Sequence, residues 1–192
     1  IENGDIVIIP GDISWAMYLD EALEDLKFIN ALPGRKIISK GNHDYWWTTI
    51  SKLNKFLEKH ELHTINFMHN NSFNLGGVSL CGTRGWISPG DSDFSTEDKK
   101  IYARELQRLE LSLKSVSLTG KSGIVVAIHY PPFNSKGEPS DFIDIMRKYN
   151  VKTCVYGHLH GGSHRNAVEG NVYGIDFRLV SADYLNFRPL KL

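Results

Sequence analysis

The chain has 192 residues, 41% hydrophobic and 23% charged, the make-up of one folded domain, which excludes a disordered, collagen-like or low-complexity protein. Nine Phe, eight Tyr and four Trp supply enough aromatic bulk for a substantial core. Lys plus Arg and Asp plus Glu balance at 22 each, so no broad basic footprint argues for nucleic acid. No apolar run reaches the ~20 residues that a membrane-spanning helix needs.

The chain opens at Ile1 and reads almost at once into a strand, Ile6-Val7-Ile8-Ile9, closed by Pro10-Gly11. Leu19, Leu23, Leu26 and Ile29 fall near helical spacing, and Pro33-Gly34 stops that helix. Lys36 to Ser39 reads as a second strand and Trp47 to Leu57 as a second helix. Gly76-Gly77 between Phe73–Leu75 and Val78–Cys81 is a hairpin signal. Ser95 with Asp98 three residues on forms a capping box, and Tyr102, Leu106, Leu109, Leu113 and Val116 make one apolar stripe behind it. Gly123–Ile128 and Val151–Tyr156 read as buried strands, with a helix from Asp141 to Tyr149 between them. Alternation from His164 through Val180 reads as antiparallel strands. The fold class is therefore α/β, with two sheets between helices. Cys81 and Cys154 lie in apolar stretches and read as buried, reduced thiols of a cytoplasmic protein, with a disulfide as the alternative.

The chemistry sits after the strands. The first predicted strand ends in Gly11-Asp12, the second in Gly41-Asn42-His43-Asp44, a later one in His129, and another in Gly157-His158-Leu159-His160. In open α/β sheets, ligands gather beyond the carboxyl ends of strands. Taken singly, these residues are turn formers, caps or core histidines; taken together, they place carboxylate, amide and imidazole donors at one end of a sheet. His158 and His160 are two apart, so in extended chain both rings face one side. A thiolate-free set of this kind suits Mn, Fe, Zn or Ni and argues against a structural zinc site.

In order and rough spacing, these motifs resemble the series of the calcineurin-like metallophosphoesterases over nearly the whole chain. The resemblance implies an αββα sandwich, two mixed sheets flanked by helices, as a single domain over residues 1–192. It also implies a two-metal centre that hydrolyses small phosphate esters through a metal-activated hydroxide. Asp12 would bridge the two metals, Asn42, His129 and His158 would complete one site, and His160 would belong to the other. His43 would protonate the leaving group, with Asp44 orienting it. The family's Asp-x-His motif occurs nowhere in the sequence. The first strand is therefore expected to lie upstream of Ile1, and this chain is expected to hold one metal tightly.

Arg84 ends another strand and reads either as a phosphate-charge stabiliser or as a surface ion pair. Tyr45, Trp46 and Trp86 read either as a leaving-group pocket or, more readily, as core aromatics. Two rival functions stand beside the phosphoesterase: a nuclease of the same superfamily, which the neutral net charge opposes, and a non-catalytic or regulatory phosphate-binding module with a partial metal site, which His43 and Asp44 oppose. No membrane partner is expected. Substrate identity and oligomeric state stay open.

Overall fold

Short β-branched runs bounded by Gly, Pro and Asn become strands here, and the acidic, Leu-spaced segments between them become helices. The computed structural model describes residues 1–116 and 123–192. In chain order it contains β1 (Ile6–Ile9), α1 (Leu23–Ala31), β2 (Arg35–Ile38), α2 (Ile50–Lys59), β3 (Ile65–Phe67), β4 (Phe73–Asn74), β5 (Val78–Thr83), α3 (Thr96–Lys114), β6 (Gly123–Ile128), α4 (Asp141–Lys148), β7 (Val151–Tyr156), β8 (Gly170–Val172) and β9 (Ile175–Leu179). A 3-10 turn spans Gly161–Asn166.

The strands form two sheets. One has three strands in the order β1-β2-β3, and the other six in the order β4-β5-β6-β7-β9-β8. The small sheet is wholly parallel, not mixed as expected. The large one is parallel through β5, β6, β7 and β9, with β4 and β8 running antiparallel at its edges. The β4–β5 pairing is the hairpin turned at Gly76-Gly77.

Ile37, Met68, Leu80, Ala127 and Val155 pack between the sheets. Leu26 of α1 and Leu53, Phe56 and Leu57 of α2 cover the outer face of the small sheet against Ile38 and Phe67. Leu109 and Leu113 of α3, with Phe142, Ile143 and Met146 of α4, cover the large sheet against Cys81, Val126, Cys154 and Phe177. The result is the αββα sandwich that the sequence implied. Cys81 and Cys154 are free and buried, and burial pushes the Cys81 thiol up to about 11 and the Cys154 thiol higher still.

Three local readings needed correction. Helix α2 begins at Ile50, not Trp47, because Trp46 and Trp47 turn inward and pack on Phe67. Helix α1 begins at Leu23, since Glu21 spends its carboxylate on the Met17 and Tyr18 amides of a preceding turn. The buried face of α3 is partly polar. Glu105 and Ser112 are buried beside Tyr102, Leu109 and Leu113, while Leu106 is only partly buried. Ser112 donates to the Asn71 carbonyl and accepts the Gly82 amide, which ties the helix to β5.

Parallel pairing puts the carboxyl ends of β1, β2, β5, β6 and β7 at one end of the sandwich. All the strand-end motifs therefore emerge together.

Candidate metal centre

The centre begins with two interlocked loops. Gly11 has φ +94°, and a Cβ there would meet the Gly41 amide nitrogen at 2.3 Å. A Cβ on Gly41 would meet Asp12 Oδ1 at 2.0 Å. Each glycine is thus required by the other loop's approach, which is why Gly-Asp and Gly-Asn occur where they do. Asp44 is fully buried between them. Its Oδ2 accepts the amides of Asp12 (2.8 Å) and Gly41 (2.7 Å), and its Oδ1 accepts those of Ile13 (3.1 Å) and Ser14 (3.3 Å). The expectation that Asp44 orients the His43 ring is corrected: both of its oxygens are spent on backbone amides, and the carboxylate instead clamps the β1 and β2 loops together.

Asp12 (φ 58°) and His158 (φ 70°) both sit in the left-handed region, a strained backbone that non-glycine residues keep where the surroundings over-determine it. The clamp supplies that constraint for Asp12. A ligand atom from each of Asp12, His129 and His158 lies within 4.8 Å of the others. Asn42 completes the group. Its Oδ1 is 2.7 Å from His129 Nε2 and 3.0 Å from His158 Nδ1. His129 Nε2 is 3.3 Å from both Asp12 Oδ2 and His158 Nδ1.

The protons decide what this cluster is suited to hold. His129 Nδ1 lies 2.8 Å from the Pro10 carbonyl oxygen, which can only accept. Nδ1 therefore carries a proton, and Nε2 is the ring nitrogen turned toward Asn42 Oδ1 and the Asp12 carboxylate. Orientation of a ligating histidine by a backbone carbonyl is the arrangement found around metals. Burial, followed by the nearby His129 charge, pushes His158 down to about 4, so its imidazole is neutral near pH 7. Burial alone would raise the Asp12 carboxyl, but hydrogen bonding and charge from His129 and the His43 amide outweigh it and hold the group below its usual value. A carboxylate oxygen, an amide oxygen and two imidazole nitrogens converging on one point form a donor set that a divalent cation fits.

The other predicted residues lie around this group. His43 donates its amide to Asp12 Oδ1 at 2.8 Å. Its ring stacks on Trp15, 4.2 Å between centroids and 3° from parallel, and its Nδ1 lies 3.3 Å from the Tyr45 hydroxyl. His160 stands outside the four-residue cluster. It is exposed, and its Nδ1 lies 2.9 Å from Asp183 Oδ1. Asp183 also accepts the Gly161 amide and sits 3.1 Å from His164 Nε2. These contacts, led by the Gly161 amide, hold its carboxyl well below the usual range. Arg84 turns its guanidinium onto the Trp86 ring and toward buried Glu105, at 3.2 Å. Trp46 is core, Trp86 gives its indole N–H to Asp98, and Tyr45 is exposed beside His43.

Sequence reasoning missed Trp15 and Asp183. Neither carries a motif, and each is brought to its histidine by a turn. A cavity of about 320 Å³ has His158 in its wall together with Tyr130, Asn134 and Asp93.

Comparison with known proteins now decides the family. A sequence model of calcineurin-like phosphoesterases matches residues 1–162. The chain belongs to the calcineurin-like phosphoesterase family. A solved crystal structure shares its fold with a TM-score of 0.58 and 16% identity, over 90% of this chain and 78% of that one. No curated protein matches. In the terms of this phosphoesterase family, the clustered residues are candidate ligands of a divalent metal. Among the described residues, no helix is long and apolar enough to cross a membrane.

Proposed function

We propose that this chain hydrolyses phosphate esters at a metal centre held by Asp12, Asn42, His129 and His158. The observation that carries the reading is the convergence of four potential ligand atoms, with the His129 ring oriented by the Pro10 carbonyl. A divalent cation bound there supplies Lewis acidity toward the phosphoryl oxygens and lowers the pKa of bound water toward neutrality. The chain's own residues do the rest. Asp44 fixes the two ligand loops. His43 protonates the departing oxygen: its Nδ1 faces Tyr45, its ring is held flat by Trp15, and Nε2 remains for the leaving group. His160, oriented by Asp183, is the ligand offered to a second and weaker cation that would share Asp12. The proposed substrate is a small phosphate ester rather than nucleic acid, given the balanced charge. Residues 1–192 act as one domain.

The non-catalytic alternative is met by the same experiment. Metal content and turnover of p-nitrophenyl phosphate are measured together across a Mn²⁺ series. The expected result is one tightly held cation and slow turnover that rises as the weak second position fills, both lost in Asp12→Asn. A tight metal with no turnover at any Mn²⁺ concentration would favour the binding module. No metal at all would overturn both readings.

A further inference from the structure

A second cavity, of about 440 Å³, adjoins the centre on its β2–β5 side. It shares walls with the ligand loops. Lys40 precedes Gly41-Asn42, and the Arg84 carbonyl accepts the His129 and Tyr130 amides at 3.1 and 2.9 Å. Its lining carries Lys40, Arg84 and Arg108 against a single carboxylate, Glu105.

That carboxylate already takes three hydrogen bonds. Glu105 is 0% exposed, its Oε2 accepts the Thr83 hydroxyl at 2.6 Å, and its Oε1 accepts Arg108 at 2.7 Å and Arg84 at 3.2 Å. None of these contacts involves Lys40, which is half-buried and has neither an ion pair nor a hydrogen bond among the described residues. Arg84 Nε is buried and likewise has no hydrogen-bond partner among the described residues. A buried donor left unmade is costly, and natural structures rarely keep one without a reason. His69, also in the lining, takes the Trp47 indole N–H on Nδ1 at 3.4 Å, which leaves its proton on Nε2 as another donor. Trp47, Ile50 and Met68 supply apolar wall.

Three cations facing one carboxylate, in a volume within the usual range for small-molecule sites, form a receptor suited to an anion. Resting on the phosphoesterase reading, we propose that this cavity is an anion subsite for a second phosphate or carboxylate of the substrate, held by Lys40, Arg84 and Arg108. The substrate class is then a phosphate ester with an additional anionic group, and Glu105 is the internal counter-ion that keeps the two arginines in place.

Two binding measurements test this without relying on turnover. In chelator-treated protein, inorganic phosphate is titrated while the Arg84 Nε–H resonance is followed. Wild-type should show a saturable shift, and Lys40→Met should weaken binding about tenfold or more, as for loss of a charge-assisted contact. Lys40→Met should leave the melting temperature unchanged or raise it, because it removes a cation that has no partner. Arg108→Met should also weaken phosphate binding, and Asp12→Asn, which removes a metal ligand, should not. In metal-loaded protein, a series of alkanediol bisphosphates with two to six carbons is compared with the matching monophosphates. At least one bisphosphate should bind more tightly than its monophosphate, with the advantage lost in Lys40→Met. No phosphate binding in the metal-free chain, or binding that Lys40→Met leaves intact, would overturn the subsite. Phosphate binding without any bisphosphate advantage would overturn its assignment to the substrate. Either failure is separate from failure of the metal centre, which is read from metal content.

Discussion

Asp44 Oδ2 accepts the backbone amide of Asp12 at 2.8 Å, across a sequence gap of 32 residues. With the Gly41, Ile13 and Ser14 amides on the same carboxylate, this contact makes the second loop the template for the first. A candidate metal ligand in a left-handed backbone conformation is thus positioned by an anion that is not itself a ligand.

Asp44→Asn should therefore damage metal binding rather than proton transfer. The amide NH₂ would face one pair of backbone N–H groups, leaving donors opposed. Loss of charge-assisted hydrogen bonds of this kind costs about 1.5–3 kcal/mol each when a partner is stranded, and outer-shell changes weaken metal affinity by about 10–100-fold. Urea unfolding and metal titration should both register the change. Unaltered metal affinity would contradict the clamp.

His43→Ala should slow alkyl phosphates far more than nitrophenyl phosphate, since a general acid, worth about 10²–10⁴-fold, matters most for poor leaving groups. Trp15→Ala should reproduce part of that pattern, because it removes the surface against which the His43 ring lies at 4.2 Å. Metal content should stay unchanged in both. Equal losses on the two substrates would remove His43 from the proton-donor role.

The pH dependence follows from His158. Its folded value, pushed down to about 4, lies below the unfolded value near 6.5, so the unfolded chain binds more protons between those limits. Stability of the chelator-treated protein should therefore fall as pH drops from about 6.5 toward 4. His158→Gln should flatten that limb of the profile. A metal-free protein equally stable across this window would contradict the assignment.

Lys36 offers a prediction remote from the centre. Only 1% exposed, it sits in β2 and sends its ammonium to the Asn30 carbonyl in the last turn of α1 and to the Leu32 and Gly34 carbonyls just beyond it. It thereby caps a helix end that carries no basic residue of its own. Lys36→Met should cost roughly 2–3 kcal/mol, the penalty for stranding buried carbonyls. Thermal unfolding checks this, with metal affinity unchanged.

The strands and helices were legible because apolar runs and Leu spacing act locally. The four-residue cluster was legible because parallel topology carries strand-end motifs to a single edge, so residues from Asp12 to His158 could be joined without knowing a contact. Three things were hidden. β3 is three residues, Ile65–Phe67, too short for a pattern. The polar part of the α3 face depends on Glu105 and Ser112 meeting Thr83 and Gly82, which only the packed sheet brings to them. The partner of His43 was misjudged, and Arg84 was left between a phosphate and an ion pair, because a neighbour in sequence, Asp44, and a strand-end position do not fix where a side chain turns. Trp15, Tyr45 and Glu105 set those directions in space.

The central claim is that Asp12, Asn42, His129 and His158 together hold a divalent cation. Elemental analysis after equilibration with Mn²⁺ or Zn²⁺ and removal of loose metal tests it most directly, on wild-type and on Asn42→Ala and His129→Ala. About one metal per chain in wild-type, and strongly reduced content in both variants, is the expected result. Metal-free wild-type, or unchanged content in the variants, would contradict the claim.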